Sequence, residues 1–262
     1  MKKQNYKVSD RNLHLPNGKL AALFVDIDGT ILECEPYFHE AKTRFVYLMK
    51  LIGFEQKQAE EILHRHDHYR MQAGSFHYDI FGDAMIDAYH ELCQTENKAI
   101  DNDILGICRD LGRGPFYRQP VLFKDAGPVL NRARHNFLIF AVSLGTREVQ
   151  KYKIRQAGLD SVFDEIIIIP RVEKLEVVKQ IIEDLNIDAS ASAFIGNSLR
   201  ADGACLAVTN FIYLPLEGGT AFDQASLPEG SGFSTFNTRD WLDCEQAAIA
   251  RLLRRRKLMP VA

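Results

Sequence analysis

The chain has 262 residues, of which 46% are hydrophobic, and sets 32 Lys and Arg against 35 Asp and Glu for a formal net charge of −3. That composition is ordinary for a globular chain long enough to hold one large domain with an insertion, and it excludes a dedicated nucleic-acid binder and a small disulfide-stapled scaffold. No apolar run reaches membrane-spanning length, so no membrane partner is expected.

The first residues, Met1-Lys2-Lys3-Gln4-Asn5, are basic and then polar where a signal peptide needs an apolar core. Residues 1–18 read as a lead-in ending in the turn signal Pro16-Asn17-Gly18. Ala22 to Leu32 follows as Ala-Leu-Phe-Val-Asp-Ile-Asp-Gly-Thr-Ile-Leu, a short apolar strand that ends in two carboxylates, a glycine and a threonine. Strands buried on both faces of a parallel sheet read as continuous apolar runs, and ligands sit beyond their carboxyl ends. Asp26 and Asp28, two residues apart in an extended segment, point the same way.

From Tyr37 to Gly112 apolar residues recur at helical spacing, as in Phe45, Leu48, Met49 and Ile52, and then Ile80, Met85, Ala88 and Leu92. Three or four helices fit, punctuated at Gly74, at Gln94 to Asn97 and at Gly112-Arg113-Gly114-Pro115. After Phe123 strand and helix alternate. Asp125 is placed to cap a helix, and Asn136 to Val142 is a strand running into Ser143-Leu144-Gly145-Thr146, with Thr146 as the next cap. Ile166 to Ile169 is a third strand, followed by a helix with Leu175, Val178, Ile181, Ile182 and Leu185 on one face. Ala191 to Ile195 is a fourth strand, leading through Gly196-Asn197 to Asp202 and a further helix, and Asn210 to Leu214 is a fifth. A short strand near Phe233 to Phe236 and a last helix from about Arg239, capped by Thr238, close the chain. Strands joined by single helices imply a parallel α/β sheet covered on both faces. The helical stretch therefore interrupts the sheet after its first strand. The expected division is a core of residues 1–32 and 118–262 and a helical domain of residues 33–117.

Four strand ends now gather polar groups on one edge: Asp26 and Asp28, Ser143, the basic residues after the third strand, and Asn197 with Asp202. In this the sequence resembles the haloacid dehalogenase superfamily. Its Asp-x-Asp-Gly-Thr motif is matched by Asp26 to Thr30, its strand-end Ser or Thr by Ser143, its lone lysine by Lys174, and its Gly-Asp-x(4)-Asp by Gly196, Asn197 and Asp202. The resemblance implies a three-layer α/β/α Rossmann-like core with an inserted all-helical cap. It also implies a magnesium-dependent phosphatase acting on a small phosphorylated molecule, with a phosphomutase or a weakly active phosphate-binding regulator as alternatives.

On that resemblance Asp26 is the nucleophile that becomes an aspartyl-phosphate and Asp28 the acid and base. The family's dehalogenases lack an acid at the second position. Magnesium would be held by Asp26, the carbonyl of Ile27, Asp28 beside it, and Asn197 or Asp202. Ser143, the backbone near Leu144, and Gly29 and Thr30 of the turn would hold the phosphoryl group, with Lys174 adding positive charge. Two departures stand out. Asn197 replaces an acid, and Leu175 replaces the proline that often follows the lysine, so Lys153 or Arg171 could share its role.

Other signals read blandly. His64-Arg65-His66-Asp67-His68 fits solvated or packed histidines, Arg254-Arg255-Arg256-Lys257 a helix end, and Gly218-Gly219-Thr220 a surface turn. Five widely spaced cysteines without a Cys-x-x-Cys pair favour a reducing compartment, so a cytoplasmic location is expected.

Overall fold

The computed structural model describes residues 13–15, 18–72, 76–169, 174–216 and 226–258. Arg171, Gly74 and Gly218-Gly219-Thr220 lie outside the described residues. Six strands form one parallel sheet in the order β5-β4-β1-β6-β7-β8. They are β1 (Ala22–Val25), β4 (Leu138–Leu144), β5 (Glu165–Ile169), β6 (Ala193–Gly196), β7 (Asn210–Tyr213) and β8 (Thr235–Asn237). The strand that carries the two aspartates is central. Val25 pairs with Ala141 of β4 on one side and Ile195 of β6 on the other.

Alternation along β1 sorts its side chains to two apolar layers. Leu23 and Val25 join Val129 and Leu130 of α5 (Ala126–Ala133), Ile154 of α6 (Arg147–Gln156) and Trp241, Ile249 and Leu252 near the carboxyl terminus. Ala22 and Phe24 join Val178 and Ile181 of α7 (Lys174–Asp184) together with Cys205 and Leu206. Phe24 stacks on Phe140 of the neighbouring strand with ring centroids 5.4 Å apart. The result is a sheet covered on both faces.

Between β2 (Leu32–Glu33) and β3 (Val121–Leu122) stand four helices: α1 (Glu35–Leu51), α2 (Gln56–Gln72), α3 (Ile80–Thr95) and α4 (Asn102–Tyr117). They have their own apolar cluster, with Phe45, Met49, Leu63, Met85 and Leu92 at its centre. The two short strands pair antiparallel, Leu32 with Leu122 and Glu33 with Val121, so the chain enters and leaves this block side by side.

Several local expectations are corrected. Helix α4 runs through Gly112-Arg113-Gly114-Pro115 to Tyr117, because Gly112 lets α4 approach the backbone of α3 at Gly82 and Pro115 falls in the last turn. After Asp202 the chain makes a 3₁₀ turn, Gly203–Ala207, where an α-helix was expected. Asp125 and Thr146 stand at helix starts without a side-chain capping bond; Asp125 is held at φ 66°, and the Thr146 hydroxyl is buried without a partner among the described residues. The last helix starts at Trp241 on an Asp240 cap, whose side chain accepts from the Asp243 N–H, while the Thr238 hydroxyl is turned to Tyr213 O. It passes through a π-helical turn, Cys244–Ile249, into α9 (Ala250–Leu258), α8 being Trp241–Asp243. No described helix is long and apolar enough to cross a membrane.

Candidate active site

Beyond β1 the chain closes a single tight turn. The Asp26 N–H continues the ladder to Ile195 O at 3.0 Å. The carbonyl of Ile27 then accepts from the backbone N–H groups of Thr30, Ile31 and Leu32 at 3.3, 2.9 and 2.9 Å. Gly29 sits at φ 76°, and a Cβ there would lie 2.6 Å from Asn197 Nδ2, so both backbone and neighbour require glycine. The side chain of Thr30 donates to Asn197 Oδ1 at 3.0 Å. This turn thereby fixes Asp26 and Asp28 relative to the end of β6.

Lys174, the first residue of α7, reaches across the sheet edge to two carboxylates. Its Nζ lies 2.6 Å from Oδ1 of Asp26 and 2.6 Å from Oδ1 of Asp202. The other oxygen of Asp202 accepts from the Ser198 N–H at 3.0 Å. Gly196 makes room for this carboxylate, since a Cβ there would fall 2.2 Å from Asp202 Oδ2. Burial pushes the Asp26 carboxyl up to about 7, opposed by the Lys174 charge and helped by those of Asp202 and Asp28. Burial also works against the Lys174 charge, but Asp202 and Asp26 outweigh it and raise the ammonium above its usual value. Both directions follow from one cation shared by two anions.

Asp28 has separate partners, both from α6. Lys153 Nζ lies 2.9 and 3.0 Å from its two oxygens, and Gln150 Nε2 lies 2.7 Å from Oδ2. The same Gln150 nitrogen reaches Leu144 O at 2.8 Å and Ser143 Oγ at 3.2 Å. Thus Asp26, Asp28, Ser143, Leu144, Lys174 and Asp202 converge on one sheet edge, with Thr30 and Asn197 beside them. Lys174 pairs with Asp26 and Lys153 with Asp28. The carbonyl of Ile27, expected as a metal ligand, is engaged by the three N–H groups of the turn. Next to the turn opens a cleft of ≈ 420 Å³ lined by Gly29, Thr30, Lys124, Leu214, Arg239 and Trp241. On the Lys153 side, between Cys34, Tyr37, Pro115 and Arg118, only ≈ 10 Å³ remains.

The sequence pattern of the haloacid dehalogenase-like hydrolases matches residues 20–207, well over half of the chain. The chain belongs to that family. No curated protein matches it. Among solved structures it resembles a haloacid dehalogenase-like hydrolase from Xanthomonas campestris, 18% identical, with a TM-score of 0.73 over 96% of this chain and 98% of that one. A putative family hydrolase from Bacillus subtilis, solved with magnesium bound, is 18% identical and gives 0.57 over 86% and 96%. A predicted phosphoglycolate phosphatase from Haemophilus somnus is 12% identical and gives 0.56 over 86% and 96%. L-2-haloacid dehalogenases match as well. At these identities the likeness is one of fold.

The donor set of this haloacid dehalogenase-like hydrolase fits a hard divalent cation. Three carboxylates, Asp26, Asp28 and Asp202, face two ammonium groups, Lys153 and Lys174, and one negative charge is left over in a largely buried place. Burial first, and then the charges of Asp202 and Asp28, raise the Asp26 carboxyl, and a cation beside it would favour the ionised form. No group of three His, Cys, Asp or Glu side chains is arranged for a metal among the described residues. Magnesium asks for less, since one or two carboxylates with waters and other oxygens complete its octahedron.

Gln150 is the site residue that sequence reasoning missed. The signal was present: α6 buries Val149, Gln150, Lys153 and Ile154, so two polar residues occupy its core-facing stripe. A polar residue on such a stripe needs a partner inside, and here the partners are the site.

Proposed function

We propose that this hydrolase is a magnesium-dependent phosphatase that acts on a small phosphomonoester through a phosphorylated Asp26. The observation that carries the reading is Asp28, a second carboxylate held at the same strand end by Lys153 and Gln150, in the position where the resemblance leaves dehalogenases without an acid. An oxygen of Asp26 attacks phosphorus as the bond to the leaving oxygen breaks, and Asp28 gives that oxygen its proton. Asp28 then takes a proton from the water that attacks the same phosphorus, which releases inorganic phosphate and restores Asp26. Ser143 and the backbone around Leu144 orient the phosphoryl oxygens, and Lys174 keeps Asp26 in place with Asp202 behind it. Asp26 and Asp202, with Asn197 beside them, would hold magnesium, which would supply neutralisation of phosphoryl charge. The adjoining cleft is of the size of small-ligand pockets. We also place the protein in the cytoplasm, where its five free cysteines would stay reduced.

The test is a screen of phosphorylated metabolites with added magnesium, run on wild type and Asp26→Asn. Turnover that appears in the wild type should fall by roughly a thousandfold or more in the variant. Retention of more than about a tenth of the activity would remove Asp26 from the role of nucleophile.

A further inference from the structure

Helix α6 turns two polar side chains inward, Gln150 at 2% exposure and Lys153 at 5%. They lie three residues apart, on one face of the helix. Neither belongs to the residue set that makes or breaks bonds in the reaction proposed above. A buried amide and a buried ammonium oppose folding unless they are bonded, so their partners state what they are for.

The amide of Gln150 is committed as a donor. Its Nε2 carries two hydrogens and faces three acceptors, Asp28 Oδ2 at 2.7 Å, Leu144 O at 2.8 Å and Ser143 Oγ at 3.2 Å. A carbonyl and a carboxylate beside one end of the amide identify that end as the nitrogen. Its Oε1 is buried and has no partner among the described residues. Gly145, at φ 137°, leaves room for the side chain, since a Cβ there would come within 3.2 Å of Nε2 and 3.3 Å of Cγ. Lys153 holds the same carboxyl through both oxygens, at 2.9 and 3.0 Å, while its ammonium lies 5.8 Å from the centre of the Phe116 ring of α4. Two donors from one helix thus fix both the place and the plane of the Asp28 carboxyl.

We propose that Gln150 and Lys153 are positioning residues which together aim the Asp28 carboxyl at the leaving oxygen. The proposal rests on the reading of Asp28 as the acid and base. Gln150 has a second effect, because it donates to Ser143 Oγ at 3.2 Å while the serine hydroxyl donates to Leu144 O at 3.4 Å, so the amide also holds Ser143 in place.

The experiment is a series of aryl phosphates with graded leaving groups, hydrolysed with magnesium by wild type, Asp28→Asn, Lys153→Met, Lys153→Arg, Gln150→Met and the double variant Asp28→Asn with Lys153→Met. Crystal structures of the two methionine variants accompany it. Lys153→Met should lower kcat by about 10 to 100-fold with poor leaving groups, a part of what acid–base catalysis supplies, and by much less with p-nitrophenyl phosphate, at nearly unchanged KM. Lys153→Arg should restore part of the loss, and Gln150→Met should add a loss common to all substrates through Ser143. Once Asp28 is Asn, Lys153→Met should have little further effect, since nothing is left to aim. In both methionine variants the Asp28 carboxyl should turn away from its wild-type position. Losses equal across leaving groups in Lys153→Met, beside graded losses in Asp28→Asn, overturn the proposal. If Asp28→Asn itself shows no grading, or no substrate is turned over, the acid–base reading fails and the crystal structures decide positioning alone: an Asp28 carboxyl unmoved in both overturns it.

Discussion

The indole N–H of Trp241 donates to the carbonyl of Thr30 at 2.9 Å, across 211 positions of sequence. Trp241 is buried and lies beyond the part of the chain that matches the family pattern, yet it holds the turn that carries Asp26 and Asp28. The carboxyl-terminal helix is therefore part of the site's scaffold. Trp241→Phe keeps most of the apolar contact and loses the bond, which should cost about 1 kcal/mol and lower the melting temperature by roughly 3 °C. Trp241→Ala should cost about 3–5 kcal/mol through the cavity it leaves. Thermal melts of the two variants check this, and a Trp241→Phe melt equal to wild type would show that the bond contributes nothing.

Asp26 should make the metal-free protein less stable as pH rises. Its folded carboxyl is pushed up to about 7 by burial, whereas in the unfolded chain it has its ordinary value near 3.8. Between those values the folded state holds the proton that the unfolded state has lost, so the stability linked to this group is full below pH 4 and declines until about pH 7. Asp26→Asn removes that decline and also balances Lys174 against Asp202 alone. In chelator-treated buffer the variant should melt higher than wild type by on the order of 5 °C at pH 8, and by only about 1–2 °C at pH 4.5. Equal differences at the two pH values would mean that Asp26 is ionised throughout.

Two glycines of one helix should respond oppositely to alanine. At Gly112 a Cβ would lie 2.3 Å from the Gly82 backbone, so α3 and α4 would have to separate. Gly112→Ala should destabilise by about 1–3 kcal/mol despite alanine's better helix propensity. Gly106, also in α4, has nothing within 4 Å of its would-be Cβ, and Gly106→Ala should stabilise by about 0.5–1 kcal/mol. Denaturant midpoints compare the pair, and a shared sign would refute the close approach of the two helices.

The same pair shows where the sequence was legible. A glycine cluster followed by proline reads as a helix end by local rules, and only the tertiary contact between Gly82 and Gly112 explains why α4 continues past it. The sheet was readable because apolar runs ending in Asp, Ser or Gly-Asn mark strand ends whatever their neighbours do. Lys174 was named through the resemblance, as the lone lysine after the third strand, and its ammonium lies against Asp26 and Asp202. Gln150 was not, because its partners come from two other segments, Asp28 and Ser143 with Leu144. The bonds to the Ile27 carbonyl have a local cause: Gly29 at φ 76° folds the turn so tightly that three N–H groups converge on it. Spacing alone carries no information on that turn's hydrogen bonds.

Asn197 is where this chain departs from the family pattern, and its surroundings give the departure a measurable consequence. Its Oδ1 accepts from Thr30 and its Nδ2 lies against Gly29, so the side chain is seated at the turn on the β6 side, next to the carboxylate cluster. An aspartate here has the same shape and can keep the bond from Thr30, but it adds a second net negative charge to a site that already has one in excess. Asn197→Asp should therefore lower the melting temperature of the chelator-treated protein, because like charges in a poorly solvated place repel. A divalent cation reverses that penalty, so magnesium should bind tighter by about 10-fold or more, in line with what partners around a metal are worth. The rise in melting temperature with magnesium follows the ratio of free metal to its dissociation constant, so the variant's curve should be displaced to lower magnesium by the same factor. Melts across a magnesium series, with calorimetric titration beside them, read both effects without relying on turnover. A variant that is less stable without metal and shows an unchanged magnesium midpoint would place Asn197 outside the range of the bound ion, and an unchanged melt as well would place its charge in solvent.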